Sequence, residues 1–161
     1  MIKAAFPGSF DPPTFGHIDI IERSSEIFDE VLVVVAESRQ KNYLFSAEER
    51  RIMLSEMVKK YKNVSVEICN NLIVDFLQER NINIMVRGVR NVPDFSYESE
   101  LSMMNKAISP HVETIFMMTR PEFLVLRSSS VRELASFGGD LTKLVPKVVS
   151  DALKTKGTSK N

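Results

Sequence analysis

The run Val31-Leu32-Val33-Val34-Val35-Ala36 restricts the possible folds more than any other stretch of the chain. A continuous β-branched segment has no polar side to turn toward water, so it reads as a central parallel strand buried on both faces. Apolar segments at Ile2 to Phe6, Val64 to Ile68, Ile82 to Val86 and Glu113 to Met118 read as four further strands, the first ended by a turn on Pro7-Gly8. Helical patterns lie between them. One starts after Gly16 and repeats Ile18, Ile21 and Phe28. Another opens on the capping box Ser46-Ala47-Glu48-Glu49, with Ile52, Met53, Met57 and Tyr61 on one face. Leu72 to Arg80 is a short helix, Phe95 to Ile108 a longer one stopped by Ser109-Pro110. Ser130 to Phe137 is ended by Gly138-Gly139 and has the spacing of a second capping box at Ser130 and Glu133; Pro146 to Leu153 closes the series. Strands alternating with helices imply right-handed crossovers, hence an α/β fold with a doubly wound, five-stranded parallel sheet and helices on both faces. Residues 1–154 form one domain and 155–161 a polar, frayed tail.

Composition limits what such a fold can do. Lys plus Arg equals Asp plus Glu at 21 each, which argues against a nucleic-acid binder working by bulk charge; phosphate recognition has to come from local clusters. Cys69 is the only cysteine and there are two histidines, so neither an internal disulfide nor a Cys/His metal site is expected. No segment approaches membrane-spanning length or looks like a leader, and the expected compartment is the cytoplasm.

In open α/β sheets ligands bind beyond the carboxyl ends of the strands, at the point where strand order reverses. Polar residues follow several of the strands here: Ser9 and His17, Lys41, Arg87-Gly88-Val89-Arg90, Arg120, and Arg127-Ser128-Ser129-Ser130. The loop from Gly8 to His17 leads from a strand into a helix N-terminus, whose free N–H groups and dipole suit a polyphosphate. His17, on the first helical turn, can point at the same phosphates. A lone histidine there is more often structural, and a loop lysine such as Lys41 is ordinarily just solvated. Paired arginines around Gly88 match phosphate oxygens, and the glycine lets backbone come close.

Gly8-Ser9-Phe10-Asp11-Pro12 with Gly16-His17 resembles the signature of the nucleotidyltransferase superfamily, and Thr14, where many members carry a first histidine, is similar to the variant in phosphopantetheine adenylyltransferases. Arg87-Gly88-Val89-Arg90, Asp94-Phe95-Ser96-Tyr97-Glu98 and Met104-Asn105 resemble that family's own central motif, and Leu126 to Glu133 its late serine motif. The resemblance covers nearly the whole chain. It implies a Rossmann-like fold and adenylyl transfer from ATP to 4′-phosphopantetheine, giving dephospho-coenzyme A and pyrophosphate, the penultimate step of coenzyme A biosynthesis. It further implies that His17, Lys41 and Ser9 serve the reaction. Ser9, Phe10, His17, Gly88, Val89, Arg90, Glu98, Phe123, Leu124, Val125, Leu126, Arg127, Ser128 and Ser129 would meet ATP; Ser9, Lys41, Ile73 and Arg87 would meet the acceptor. Mg²⁺ held mainly through the ATP phosphates rather than by a protein metal site, a homohexamer, and coenzyme A as feedback ligand are implied in the same way. The chain departs from the family at Arg127, where the serine motif begins, and at Phe123 to Leu126. Arg127 is either an extra phosphate ligand or an outward-facing substitution.

Two other readings stand beside this one. A nucleotidyltransferase could use cytidine triphosphate or another phosphorylated acceptor, against which Arg87 and the Asp94 to Glu98 segment argue. A noncatalytic nucleotide sensor would have little need for groups aimed at an α-phosphate, such as His17 and Lys41. No Ser-His-Asp or Cys-His arrangement can be assembled, so direct transfer by positioning and charge stabilisation is expected.

Overall fold

In the computed structural model, which describes residues 1–158, five parallel strands form one sheet in the order β3-β2-β1-β4-β5. The strands are β1 (Lys3–Gly8), β2 (Glu30–Ala36), β3 (Val64–Cys69), β4 (Ile84–Val89) and β5 (Glu113–Met118). The helices are α1 (Phe15–Ile27), α2 (Ala47–Val58), α3 (Ile73–Glu79), α4 (Val92–Ile108), α5 (Ser128–Ser136) and α6 (Lys147–Thr158), with a 3-10 turn at Pro121–Phe123. Among the described residues no helix is long and apolar enough to cross a membrane.

The apolar run of β2 is covered on both faces, as its composition requires. Val31, Val33 and Val35 belong to one core with Ile20 and Ile21 of α1, Met53 and Leu54 of α2, Val131 of α5 and Val149 of α6. Leu32 and Val34 point the other way, into a smaller core with Val74, Phe76 and Leu77 of α3 and Met85 of β4. Val33, Val34 and Val35 are wholly buried, and each such side chain contributes roughly 1.5–3 kcal/mol through lost apolar exposure. An aspartate at Val34 would place an unpaired charge in the smaller core and break the sheet's packing.

Several boundaries differ from the sequence reading. Strand β1 does not turn at Pro7-Gly8 but continues through both, in register with β2 to the pair Gly8↔Val35. A proline is tolerated because pairing with β4 stops at Ala5↔Met85; beyond it β1 has an open edge, and the Pro7 carbonyl on that edge accepts from the Arg87 guanidinium. Strand β4 runs on through Arg87, Gly88 and Val89, so the arginines are presented by strand rather than by the following loop. Helix α4 starts at Val92 instead of Phe95 because Asn91 caps it, accepting from the Asp94 N–H at 2.9 Å, with Pro93 in the first turn. Helix α5 starts at Ser128, two residues before the expected box at Ser130, and its cap residue Arg127 supplies no side-chain acceptor. The segment expected to fray from residue 155 is helical through Thr158, with Lys156 paired to Glu49 at 2.8 Å; residues 159–161 lie outside the described residues. The Ser46 box forms as read, Glu49 N donating to Ser46 Oγ at 3.2 Å and Ser46 N to Glu49 Oε2 at 2.7 Å.

Candidate active site

The divergence of β1 from β4 opens a crevice at the C-terminal end of the sheet, where the strand order reverses. Three contiguous spaces fill it. A cleft of about 330 Å³ is lined by Ser9, Lys41, Ile73, Arg87, Tyr97 and Glu98, among others. A pocket of about 110 Å³ lies against Phe10, His17, Gly88, Arg90, Phe123 and Leu126. A third space of about 420 Å³ is bordered by Ser9, Lys41, Arg90, Arg127, Ser128 and Arg132. Arg87 lines the first and second, Arg90 the second and third, and Ser9 and Lys41 the first and third. One ligand can therefore reach from the first cleft past His17 to the N-terminus of α5.

His17 is held in a single useful state. It sits at the third position of α1, where glutamate or glutamine usually closes a capping box, and its Nδ1 accepts the Thr14 N–H at 3.0 Å. An Nδ1 engaged as acceptor leaves the proton of a neutral ring on Nε2. Burial, then the charges of Arg90 and Arg87, lower its pKa from 6.5 to about 4, so the ring is neutral at physiological pH. The Phe10 ring meets it edge-on with centroids 5.0 Å apart. Phe10 itself has φ of 49° and packs so closely on Gly8 that a Cβ there would stand 2.8 Å from its ring, which is why a glycine precedes the loop.

Cationic groups surround this neutral donor. Arg87 makes a two-pronged ion pair with Glu98, both N–O distances 2.7 Å, placing Glu98 in the first cleft and away from the His17 pocket. Arg90 pairs with Asp94 at 2.7 Å and reaches the Leu126 carbonyl at 3.3 Å. The Ser128 hydroxyl donates to the Pro12 carbonyl at 2.8 Å, tying α5 to the loop after β1. Val89 is buried in the sheet, its carbonyl accepting from Thr119 N–H at 2.9 Å, and its side chain borders none of the three spaces. Leu124 and the exposed Val125 also lie outside them, whereas Phe123 and Leu126 form walls of the His17 pocket.

Two supporting residues escaped the sequence reading. Arg50, wholly buried despite its charge, donates to the carbonyls of Phe45, Ser46 and Ser9 at 3.0, 3.2 and 2.7 Å and pairs with Glu37 at 2.8 Å. It thereby joins the loops after β1 and β2, which carry Ser9 and Lys41. Its signal in the sequence was slight, since an arginine in the first turn of a capped helix reads as solvated. Asp11, also buried, accepts from Leu44 and Phe45 N–H at 2.8 and 2.9 Å and pairs with Arg132. Among the described residues no three His, Cys, Asp or Glu side chains come together so as to hold a metal ion.

The cytidylyltransferase-like family model matches residues 5–134, a span that takes in most of β1, the His17 loop and most of α5. A protein of Dictyoglomus thermophilum named phosphopantetheine adenylyltransferase is 47% identical over 97% of this chain and 95% of its own length. One of the same name from Clostridium tetani is 43% identical over 98% of both. The chain belongs to the phosphopantetheine adenylyltransferase family. Its fold is also that of a solved structure from Vibrio parahaemolyticus described as a nicotinate-nucleotide adenylyltransferase, with a TM-score of 0.73 at 20% identity, covering 98% of this chain and 94% of that one.

Proposed function

We propose that the chain is a pantetheine-phosphate adenylyltransferase, moving the adenylyl group of ATP onto 4′-phosphopantetheine to give dephospho-coenzyme A and pyrophosphate. The observation that carries this is the neutral His17, its Nε2–H left free to donate, between an arginine-bearing cleft and a cation-lined space at a helix N-terminus. A phosphate oxygen of the acceptor attacks the α-phosphorus in line; that P–O bond forms as the bond from the α-phosphorus to the bridging oxygen breaks. The acceptor phosphate is anionic already, so no general base is required. Arg87 and Lys41 hold it in the first cleft, with Ser9 orienting it and Ile73 against the pantetheine arm. His17 donates from Nε2 to an α-phosphate oxygen and Lys41 adds positive charge there, both acting on charge that grows in the transition state. Arg90, Ser128, Ser129 and the free N–H groups at the start of α5 receive the β- and γ-phosphates.

Mg²⁺ is proposed as the partner of the triphosphate. The donor set beside that space is cationic and hydroxylic, and its one acid, Asp11, is already bound to two amides and Arg132. Such residues fit a metal carried on phosphate oxygens and water, and the ion would neutralise part of the polyphosphate charge. Assembly into a homohexamer, a cytoplasmic location and feedback by coenzyme A belong to the same proposal. In favour of association, α4 has no buried residue and leaves Val92, Met103, Met104 and Ile108 exposed, while Met118 of β5 is exposed beside it. Chromatographic detection of dephospho-coenzyme A, formed with ATP and phosphopantetheine but not with cytidine triphosphate in place of ATP, tests the reaction. Product formed equally well from cytidine triphosphate would refute the nucleotide assignment.

A further inference from the structure

We propose that Arg127 is the residue that grips the departing pyrophosphate, and so sets how tightly this enzyme holds ATP over AMP and how strongly pyrophosphate inhibits it. The inference rests on the adenylyl-transfer reading and deepens it at one residue. Four cationic side chains border the space at the start of α5: Lys41, Arg90, Arg127 and Arg132. Two of them are already matched by a carboxylate, Arg90 by Asp94 at 2.7 Å and Arg132 by Asp11 at 3.3 Å. Arg87, at the next cleft, is matched by Glu98. The Lys41 and Arg127 side chains have no partner among the described residues, so the uncompensated positive charge of this space belongs to them.

The two have different stations. Lys41 also lines the acceptor cleft, whereas Arg127 borders only the outer space, with Ser128 and Ser129 beside it. As the residue capping α5 it stands where the helix presents its unpaired N–H groups; its own backbone is extended, with φ −114° and ψ 140°, and its side chain gives no cap to the helix. A guanidinium there can meet a diphosphate two-pronged while the amides bind from below. The α-phosphate, at the His17 pocket, lies beyond this station, since Arg127 borders no part of that pocket. Arg127 therefore discriminates nucleotides by their outer phosphates and leaves the adenosine and α-phosphate contacts alone. It is exposed, so its effect weakens as salt rises.

The test compares wild type with Arg127→Gln and Arg127→Lys by calorimetric titration of pyrophosphate, ATP and AMP at fixed low ionic strength. Losing one charge-assisted, two-pronged contact should weaken pyrophosphate and ATP by about tenfold and leave AMP within about twofold, with the lysine variant recovering part of the loss. Raising the salt should narrow the difference between wild type and Arg127→Gln. Equal weakening of AMP and ATP, or pyrophosphate bound as tightly by the glutamine variant as by wild type, would overturn the assignment. Unfolding in urea run alongside identifies a misfolded variant, for which Arg127→Lys supplies the measurement. Pyrophosphate titration involves no acceptor; if phosphopantetheine proves to be the wrong acceptor, wild type fails to make dephospho-coenzyme A while the Arg127 comparison still gives its answer.

Discussion

Lowering the pH should destabilise this protein through His17, and the effect can be isolated with one substitution. A base whose folded pKa lies below its unfolded value binds fewer protons in the native state between the two values. Stability is therefore fully present above the unfolded pKa, falls as pH falls from 6.5 toward about 4, and levels off beneath that. The gap between 6.5 and about 4 sets a ceiling of roughly 3 kcal/mol, of which roughly 2 kcal/mol should be lost between pH 7 and pH 5. His17→Gln is the comparison that isolates it, because glutamine at the third helical position can accept the Thr14 N–H through its amide oxygen and keep the capping box while losing the titration. Urea unfolding of both proteins at pH 7, 6 and 5 cancels whatever the rest of the chain contributes, since the two proteins share it. The wild type should lose roughly 2 kcal/mol more than His17→Gln over this range. Stability curves that stay parallel would mean that His17 titrates as it does in an unfolded chain, and that neither burial nor the two arginines disfavour its charged form.

Other perturbations follow from the same contacts. Arg50→Met should cost about 3–5 kcal/mol in chemical denaturation, because it strips three backbone carbonyls of their donor and leaves Glu37 unpaired. Steady-state kinetics on whatever remains folded should show higher KM for both substrates, since the Ser9 and Lys41 loops lose their tie; an unchanged Tm would contradict the structure. Ser46→Ala should cost about 1 kcal/mol through the lost cap, read as a shift in the urea midpoint without a change in slope. Gly8→Ala should lower kcat and cost about 1–3 kcal/mol of stability, because the added Cβ pushes the buried Phe10 ring that supports His17; wild-type turnover in that variant would show that the ring's position is immaterial. Glu98→Gln removes the charge that pairs with Arg87, and should tighten phosphopantetheine binding if the acceptor phosphate takes over that guanidinium; weaker binding would assign Glu98 to the acceptor itself.

Sheet and helices were legible because their signal is local. The unbroken apolar run of β2 announced a strand covered twice, and its alternate residues do enter two separate cores. The Ser46 capping box, two residues three apart in sequence, formed as its spacing requires. Long-range geometry was not legible. Pro7-Gly8 reads as a turn in any isolated peptide, and only the parting of β1 from β4 makes it strand. The Ser130 box lost to a helix start two residues earlier, where the Ser128 hydroxyl bonds the Pro12 carbonyl, more than a hundred residues away in the chain. Among site residues, His17, Lys41, Arg87, Arg90 and Ser128 do gather at one crevice. Glu98 stands with Arg87 rather than with His17, and Val89 is enclosed in the sheet, because β4 extends through the motif and alternates its side chains. Arg50 and Asp11 were missed since burial of a charge depends on partners contributed by distant loops.

The most direct test of adenylyl transfer assisted by a neutral His17 is pyrophosphate release with ATP, Mg²⁺ and 4′-phosphopantetheine, measured in wild type and His17→Ala together with the ATP dissociation constant of each. Release should require both substrates, and the alanine variant should lose about 10²–10³ in kcat, the cost of one transition-state donor, while its ATP dissociation constant stays within about threefold. A variant that binds ATP as poorly as it turns over, or one that turns over like wild type, would contradict the account.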